Sequence, residues 1–179
     1  MDKRRAVFLD RDGVVNRLVM KKGGLAPPAN VDEFEFLPGV VPSLEKLRKA
    51  GWQIVIVTNQ PDITRGTLSM ETLRAIHDKM SAIFRFDGIY VCSHDDKDRC
   101  DCRKPKPGLI LQAAREHQID PADSFMVGDR AKDIEAGRSA GCTTVLVQKP
   151  YSGTAAADHI VRDMPEAAEM ILKNSGGTA

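Results

Sequence analysis

The sequence lacks an excess of charge of either sign. Its 179 residues include 26 Lys and Arg against 25 Asp and Glu, which gives a formal net charge of +1. A chain whose charges nearly cancel has no overall field that would attract nucleic acid or an anionic membrane surface. We therefore expect neither as a partner, and any anionic ligand must be held by a local group of residues.

Long apolar runs are also missing from the sequence. No stretch reaches the roughly 18 consecutive apolar residues that a membrane span needs, and the apolar run after residues 1–5 is too short for the core of a signal peptide. No internal repeat divides the chain, and its length suits one ordinary domain. We predict a single domain over residues 1–179, monomeric and cytoplasmic.

Cysteine is scarce, and its placement is informative. Only four cysteines occur, and three of them lie within eleven positions beside a histidine. Three thiolates and one imidazole form the ligand set of a closed tetrahedral zinc site, and such clustering in a reducing compartment favours metal over disulfides. We predict a Zn2+-binding loop over residues 92–107, with Cys142 as a small core residue. The predicted ligands are Cys92, His94, Cys100 and Cys102.

What the sequence does contain is an alternation of apolar runs with amphipathic segments. The predicted strands are 6–9, 52–57, 86–91, 124–127, 143–147 and 159–161. The predicted helices are 40–49, 69–83, 107–118, 133–140 and 165–173. This alternation indicates an α/β fold, a Rossmann-like doubly wound parallel sheet with helices on both faces. Residues 16–36 show no helical period and are predicted as a long loop or flap near the site, and residues 174–179 as a disordered tail.

Polar side chains follow four of the predicted strands. Asp10 and Asp12 come after the first, Thr58 after the second, Lys104 after the charged excursion that follows the third, and Asp129 after the fourth. In a parallel sheet these strand ends share one edge, where ligands bind. Neighbouring carboxylates repel unless they share a cation or a proton. The arrangement therefore predicts a divalent metal and suits phosphoryl transfer.

The ordered set of strand-end motifs resembles the haloacid dehalogenase superfamily in its phosphatase form. The motifs are Asp10-x-Asp12-Gly13, Thr58-Asn59-Gln60, Lys104 and Gly128-Asp129-x-x-x-Asp133. The resemblance covers roughly residues 6–147, and the sequence shows no insertion large enough for a separate cap domain. It implies a minimal cap and an open site that admits small phosphate esters.

The resemblance assigns catalytic roles to four residues. Asp10 would be the nucleophile that forms an aspartyl-phosphate. Asp12 would be the general acid that protonates the leaving oxygen and then the base that activates water. Thr58 and Lys104 would hold the phosphoryl oxygens.

The resemblance also implies a Mg2+ site. Asp129 would bind the ion together with Asp10 and the backbone carbonyl of Asp12, because Mg2+ prefers oxygen ligands. Asp133 would support the metal site indirectly, through water or Lys104, without binding the ion itself. Arg11, between the two acidic residues, is expected to point away from them.

Within the superfamily, the Cys-x-His and Cys-x-Cys insert followed by Arg103-Lys104-Pro105 resembles a subgroup that comprises heptose bisphosphate 7-phosphatases and related histidinol-phosphatases. The resemblance implies a sugar bisphosphate substrate in nucleotide-heptose synthesis. Asn59, Arg65 and Arg103 are the expected substrate contacts. The short zinc loop matches the histidinol-phosphatase pattern, so histidinol phosphate or another sugar phosphate stays open as the alternative.

Two other functions remain open at this stage. One is a zinc-stapled binding module in which the acidic pair is vestigial, although a binding module has no need of the complete set of strand-end residues. The other is phosphotransfer between sugars, which differs only in what attacks the phospho-enzyme. His77, His117 and His159 are isolated in sequence and are interpreted as surface or packing residues.

Overall fold

The computed structural model describes residues 4–175, and its centre is one parallel six-stranded sheet. Its strands are β1 (Ala6–Leu9), β4 (Gln53–Asn59), β5 (Gly88–Cys92), β6 (Phe125–Gly128), β7 (Thr143–Val147) and β8 (His159–Val161). Their order across the sheet is β5-β4-β1-β6-β7-β8. The predicted doubly wound α/β fold is confirmed.

Helices cover both faces of the sheet. They are α1 (Val40–Lys49), α2 (Met70–Ile83), α3 (Gly108–His117), α4 (Ala131–Ala140) and α5 (Met164–Ser175). Buried side chains of α1, α2 and α5 join one apolar cluster, and those of α3 and α4 join the other. Between residues 4 and 175, no helix combines the length and the hydropathy that crossing a membrane requires.

Strand β1 shows why the sheet is buried on both faces. Successive side chains of a strand point to opposite sides, so Val7 and Leu9 enter the cluster with α1, while Ala6 and Phe8 enter the cluster with α3. All four side chains are fully buried. The continuous apolar run that predicts this strand is typical of parallel sheets.

The position of β1 fixes the place of the site. Leu9 is paired with Ile56 of β4 on one side and with Val127 of β6 on the other. From β1 the chain builds outward to β5, and it then returns to build β6, β7 and β8 on the opposite side. The crevice at the carboxyl end of β1 is therefore the topological switch point, where open α/β sheets bind ligands.

Residues 16–36, predicted as an unstructured loop, contain a small antiparallel hairpin. Its strands are β2 (Val19–Lys21) and β3 (Gly24–Ala26). Three residues are too few to establish a period of two, and neither strand is buried in the core, since Met20 is 72 % and Leu25 47 % exposed. The prediction missed the hairpin because neither length nor burial marks it in the sequence.

Strand β4 and helix α5 both extend beyond their predicted C-terminal ends. Strand β4 runs through Thr58 and Asn59 because these residues pair with Val91 and Cys92 of β5. Helix α5 continues to Ser175, so the predicted disorder is wrong for residues 174 and 175, where no helix-breaking residue precedes Gly176. The rest of the predicted tail, 176–179, lies outside the described residues.

Candidate active site

The ends of strands β1 and β6 and the loop after β5 bring Asp10, Asp129 and Lys104 into one crevice. Asp10 directly follows β1, and its backbone N–H donates to the carbonyl of Val127 in β6 at 2.9 Å. The Nζ of Lys104 lies 2.7 Å from Oδ1 of Asp10. Two residues that are 94 positions apart in sequence therefore form an ion pair in the crevice.

Lys104 is surrounded by acceptors. Besides Asp10, its Nζ lies 2.7 Å from Oδ1 of Asp133 and donates to the carbonyl of Val57 at 2.9 Å. Only 2 % of the residue is exposed. Burial disfavours its charge, but the carboxylates of Asp10 and Asp133 outweigh burial and raise the pKa of Lys104 above its ordinary value. Lys104 is thus a fixed cation.

Three carboxylates of the crevice fit a divalent cation. Asp10, Asp129 and Asp133 each offer an oxygen, and these oxygens lie within 4.8 Å of one another. Burial raises the pKa of Asp10 to about 7, despite Lys104, and it also raises the pKa of Asp129. Among residues 4–175, nothing hydrogen-bonds the buried Oδ1 of Asp129. One ammonium cannot neutralise three carboxylates, so the cluster has the charge and the free oxygen that Mg2+ requires.

Asp129 is held in place by residues that the sequence did not reveal. The hydroxyl of Tyr151 donates to its Oδ2 at 2.7 Å, and the hydroxyl of Ser152 donates to its backbone carbonyl at 2.6 Å. Burial and this hydrogen bond raise the pKa of Tyr151, so it stays a donor. Both residues lie in the irregular segment between β7 and β8, where no motif marks them.

Gly13 allows the backbone of the first motif to approach Asp129. Its φ is +95°, in the left-handed region, and a Cβ added there would lie 2.1 Å from Oδ2 of Asp129. Any side chain would therefore displace the carboxylate. The glycine of the acidic motif thus makes room for a site residue as well as for the turn.

Asp12 is held by Arg11, contrary to the prediction that Arg11 points away. Nη2 of Arg11 contacts Oδ1 and Oδ2 of Asp12, each at 3.0 Å, and Nε contacts Oδ1 at 3.2 Å. Arg11 is fully buried. Its reach explains the failed expectation, because the side chain is long enough to fold back along the loop and a buried guanidinium needs a carboxylate partner.

Gln60 joins the residues of two motifs. Its Nε2 donates to Oδ2 of Asp12 at 2.7 Å and to Oγ1 of Thr58 at 2.9 Å. Thr58 and Gln60 are each 1 % exposed. The first and second motifs are therefore hydrogen-bonded to each other, with Gln60 linking Thr58 to Asp12.

Asn59 is bound to the backbone of Lys104 rather than projecting freely. Its Nδ2 donates to the carbonyl of Lys104 at 3.0 Å, and its Oδ1 accepts the backbone N–H of Lys104 at 3.1 Å. Both ends of the amide are thereby used. In this structure Asn59 fixes the segment that presents Lys104, and it borders the cavity described below.

Arg65 and Arg103 both contact the cysteine-containing loop. Arg65 forms a two-point ion pair with Asp95, with distances of 2.8 and 2.9 Å. Nε of Arg103 lies 2.6 Å from Asp96, and its Nη1 donates to the carbonyl of His94 at 3.1 Å. The loop thus determines where both guanidinium groups lie.

The predicted zinc ligands are close together in space. Sγ of Cys102 lies 3.1 Å from Sγ of Cys92 and 3.3 Å from Nδ1 of His94, and Cys100 Sγ is 3.6 Å from Cys92 Sγ. All four ligand atoms lie within 4.8 Å of one another, and the four cysteines are free. Zn–S and Zn–N bonds of about 2.3 and 2.0 Å in a tetrahedron place the ligand atoms about 3.5–3.8 Å apart, so the Cys100–Cys92 distance matches and the Cys102–Cys92 distance is shorter. Three thiols and one imidazole around one point form a donor set that fits zinc.

A cavity of about 280 Å³ opens above Asp10 and Asp12. Leu18, Leu25 and Pro27, from the hairpin region, form one wall of the cavity. The other walls are rich in cations. The cationic side chains that line the cavity are Arg65, Arg103, Lys104, Arg130 and Lys132.

Arg130 and Lys132 are absent from the predicted substrate contacts. Arg130 lies over the ring of Tyr151, 4.9 Å from its centroid. Lys132 stands in the first turn of α4, and burial lowers the pKa of its ammonium. Both residues could have been predicted from their position next to Asp129 in the sequence. The first turn of a helix that follows a parallel strand borders the crevice at the carboxyl end of that strand.

Comparison with known proteins gives the same family as the motifs. The haloacid dehalogenase-like hydrolase family matches residues 25–141. A curated D-glycero-beta-D-manno-heptose-1,7-bisphosphate 7-phosphatase of Pasteurella multocida is 36% identical over 184 residues, covering 94% of this chain and 97% of the relative. The Helicobacter pylori protein of the same name is 37% identical and covers 84% of this chain and 88% of the relative.

Similar solved structures point to the same family. The D,D-heptose 1,7-bisphosphate phosphatase of Bordetella bronchiseptica, crystallised with magnesium and phosphate, has a TM-score of 0.83 and 34% identity, covering 95% of this chain and 99% of that one. A HAD-like phosphatase from Mesorhizobium loti has a TM-score of 0.80 and 25% identity, covering 96% of this chain and 86% of that one. The membership inferred from the strand-end motifs is confirmed: the chain belongs to the haloacid dehalogenase-like hydrolases.

Proposed function

We propose that this protein is a Mg2+-dependent phosphomonoesterase that removes the 7-phosphate of D-glycero-D-manno-heptose 1,7-bisphosphate. The observation that carries the proposal is the pairing of Asp10 with the buried Lys104 at the floor of a cation-lined cavity. The similarity to curated heptose bisphosphate phosphatases over 94% of the chain supports the same substrate.

The first half of the reaction transfers the phosphoryl group to the protein. An oxygen of Asp10 attacks phosphorus, and the bond between phosphorus and the sugar oxygen breaks as the new bond forms. Asp12 gives its proton to the departing sugar oxygen, so the sugar leaves as an alcohol. Lys104 neutralises negative charge beside the nucleophile, and Thr58 would help to hold the phosphoryl oxygens.

The second half regenerates the free carboxylate. Water attacks phosphorus, Asp12 takes the proton of the water, and the bond between phosphorus and Asp10 breaks to release inorganic phosphate. Asp12 is then protonated again for the next cycle. The two acidic residues therefore have different tasks, which requires different surroundings. Asp10 is paired with Lys104, and Asp12 is paired with Arg11.

The proposed Mg2+ would be held by Asp10, Asp129 and the backbone carbonyl of Asp12. When bound, it neutralises charge on the transferring oxygens. Asp133 supports this site through its ion pair with Lys104, and its Oδ2 accepts the backbone N–H of Arg130 at 3.0 Å. The magnesium and phosphate in the Bordetella bronchiseptica structure support the assignment.

The charge around the cavity favours a substrate with a second anionic group. We propose Asn59, Arg65 and Arg103 as the substrate contacts of the distal part of the cavity, all three of which line it. Arg103 is the main candidate for the second phosphate, because its planar fork can bind two oxygens at once. Histidinol phosphate carries an ammonium group, which the cationic side chains that line the cavity would repel. The heptose bisphosphate therefore suits the cavity better.

We propose that the cysteine-containing loop, 92–107, binds one structural Zn2+. Its ligands would be Cys92, His94, Cys100 and Cys102. The loop connects directly to the catalytic residues, since His94 accepts a hydrogen bond from Arg103, and Lys104 follows Arg103 in the chain. Zinc would thus order the loop that presents both cations without touching the substrate.

The remaining predictions concern the oligomeric state, the compartment, the domain count and the partners of the enzyme. We propose a monomeric cytoplasmic protein with one domain over 1–179, and with no nucleic acid or membrane partner. The nearly balanced charge supports the last point, and a thiolate zinc site suits a reducing compartment. Size-exclusion chromatography with light scattering tests the oligomeric state.

A substrate panel tests the proposed function. Phosphate release is measured with Mg2+ on heptose bisphosphate, on other sugar phosphates, on histidinol phosphate and on an aryl phosphate. The expected result is a clear preference, in kcat/KM, for the heptose bisphosphate. Preference for histidinol phosphate would overturn the substrate, and absence of any Mg2+-dependent release would support a binding module instead.

A further inference from the structure

Arg11 is buried to an unusual degree for a charged residue. None of its surface is exposed, and it is among the largest fully buried side chains of the described residues. A buried guanidinium is costly unless each part of it is paired. Its Nε and Nη2 meet Asp12, and its Nη1 lies 2.9 Å from Nε2 of His77. Both ends of the guanidinium are therefore engaged.

The carboxylate of Asp12 is held from several directions. Arg11 contacts both of its oxygens, Asn16 Nδ2 donates to Oδ1 at 3.0 Å, and Gln60 Nε2 donates to Oδ2 at 2.7 Å. Two-point contact with a planar guanidinium fixes the plane of a carboxylate as well as its position. Arg11 thus determines the direction in which Asp12 presents its oxygens.

His77 in turn holds Arg11. It lies in α2, between the core residues Ile76 and Met80, so its backbone is anchored by packing. The Nη1 of arginine can only donate a hydrogen bond, so Nε2 of His77 accepts it, and the imidazole is neutral with its proton on Nδ1. Burial and the neighbouring Arg11 lower the pKa of His77 to about 4, which agrees with this state.

We propose that Arg11 and His77 are positioning residues for the general acid, with His77 fixing the guanidinium that aligns Asp12. This inference rests on the proposed phosphatase function and deepens it. The contacts form a continuous connection from helix α2, through Arg11, to the residue that protonates the leaving group. Neither residue reaches the reacting atoms. They act on the reaction through Asp12.

A misaligned general acid has a specific kinetic signature. A sugar oxygen needs a proton to leave, whereas 4-nitrophenolate leaves readily without one. The value of kcat/KM reports the steps up to formation of the phospho-enzyme, which include leaving-group departure. Loss of the correct orientation of Asp12 should therefore lower kcat/KM for the sugar phosphate and leave kcat/KM for 4-nitrophenyl phosphate nearly unchanged. A general loss of folded or active protein lowers both equally.

The test compares His77→Leu with His77→Gln on both substrates. Leucine fills the space but cannot accept a hydrogen bond, while the side-chain oxygen of glutamine can. We expect His77→Leu to lower kcat/KM for heptose bisphosphate on the order of 10- to 100-fold, with a loss below about threefold for 4-nitrophenyl phosphate. His77→Gln should recover most of the lost activity.

Two results would overturn the inference. One is an equal loss on both substrates, and the other is a His77→Gln variant no better than His77→Leu. Arg11→Lys adds a second approach, because a single ammonium cannot contact Asp12 at two points, and it should show the same substrate-dependent loss. If the wild type releases no phosphate from heptose bisphosphate, the proposed substrate fails by itself. The comparison is then made with whichever alkyl phosphate the panel shows to be hydrolysed.

Discussion

The ammonium of Lys104 contacts Oδ1 of Asp10 at 2.7 Å in a setting from which water is almost excluded. The contact joins the loop after β5 to the end of β1, across the intervening strand β4. It exists only when the sheet is assembled. The nucleophile and the cation that accompanies it are therefore products of the fold, and each can be tested separately.

Asp10→Asn should reduce turnover by more than about three orders of magnitude, because an amide oxygen cannot form the covalent intermediate. Asparagine has nearly the same shape, so the fold should persist. The measurement is steady-state phosphate release with Mg2+ from the best substrate of the panel. Asp123→Asn is the control, since Asp123 is exposed and precedes β6, at the opposite edge of the sheet. Near-normal turnover by Asp10→Asn would exclude an aspartyl-phosphate mechanism.

The sequence was sufficient to locate residues that the backbone alone positions. Asp10, Thr58 and Asp129 follow or end neighbouring parallel strands, so the rule that strand ends share an edge brings them together. The cysteine loop could be predicted equally well, because four ligands within eleven positions are close in space in any compact loop. In both cases a local pattern determines the geometry.

Contacts made by long or distant side chains could not be foreseen. Arg11 turns back onto Asp12, and its other end is held by His77, on a helix far away in sequence. Tyr151 and Ser152 reach Asp129 from a segment without regular structure. No periodicity marks such residues, since their role depends on tertiary packing rather than on the local chain.

Zinc should be present at about one equivalent per chain by elemental analysis. The double variant Cys100→Ala with Cys102→Ala should lose the metal and lower both the unfolding temperature and the activity, because the loop carries Arg103 and Lys104. Cys142→Ala is the control: this buried cysteine is not one of the four clustered ligands, so its variant should keep zinc and activity. A double variant that is free of zinc yet equally stable and active would show that the loop needs no metal.

Lys132→Met should weaken binding of a bisphosphate more than of a monophosphate. Lys132 lines the cavity, and a charged hydrogen bond to phosphate is worth about 1.5–3 kcal/mol. The expected rise in KM for heptose bisphosphate is therefore roughly 10- to 100-fold, with little change for 4-nitrophenyl phosphate. Lys49→Met, an exposed site at the far end of α1, is the matched control. An equal rise in KM for both substrates would place Lys132 outside the distal part of the cavity.

Gly13→Ala should inactivate the enzyme by displacing Asp129. The new Cβ would lie 2.1 Å from Oδ2 of Asp129, and the residue has a φ of +95° that disfavours alanine. Gly23→Ala is the control, because its Cβ would meet no atom within 4 Å. Isothermal titration with Mg2+ should show a large loss of affinity for Gly13→Ala alone. Unchanged Mg2+ affinity would mean that the loop shifts without disturbing the carboxylate.

The depressed pKa of His77 should make stability depend on pH in a defined direction. In the folded protein its pKa is about 4, lowered by burial and by Arg11 and partly offset by Asp12, against an ordinary value of 6.5. Between these values the unfolded chain binds a proton that the folded protein does not, so this contribution to stability is complete above pH 6.5 and is lost as the pH falls to 4.

His77→Gln removes this titration while keeping an acceptor for Arg11. Urea unfolding at pH 7 and pH 5 should therefore show a larger loss of unfolding free energy in the wild type than in His77→Gln, since the other groups titrate in both proteins. His159→Gln, on β8 at the edge of the sheet, controls for the loss of an imidazole elsewhere. The same loss in wild type and His77→Gln would mean that His77 takes up a proton as readily in the folded protein as in the unfolded chain. In that case it could not serve as the neutral partner that orients Arg11.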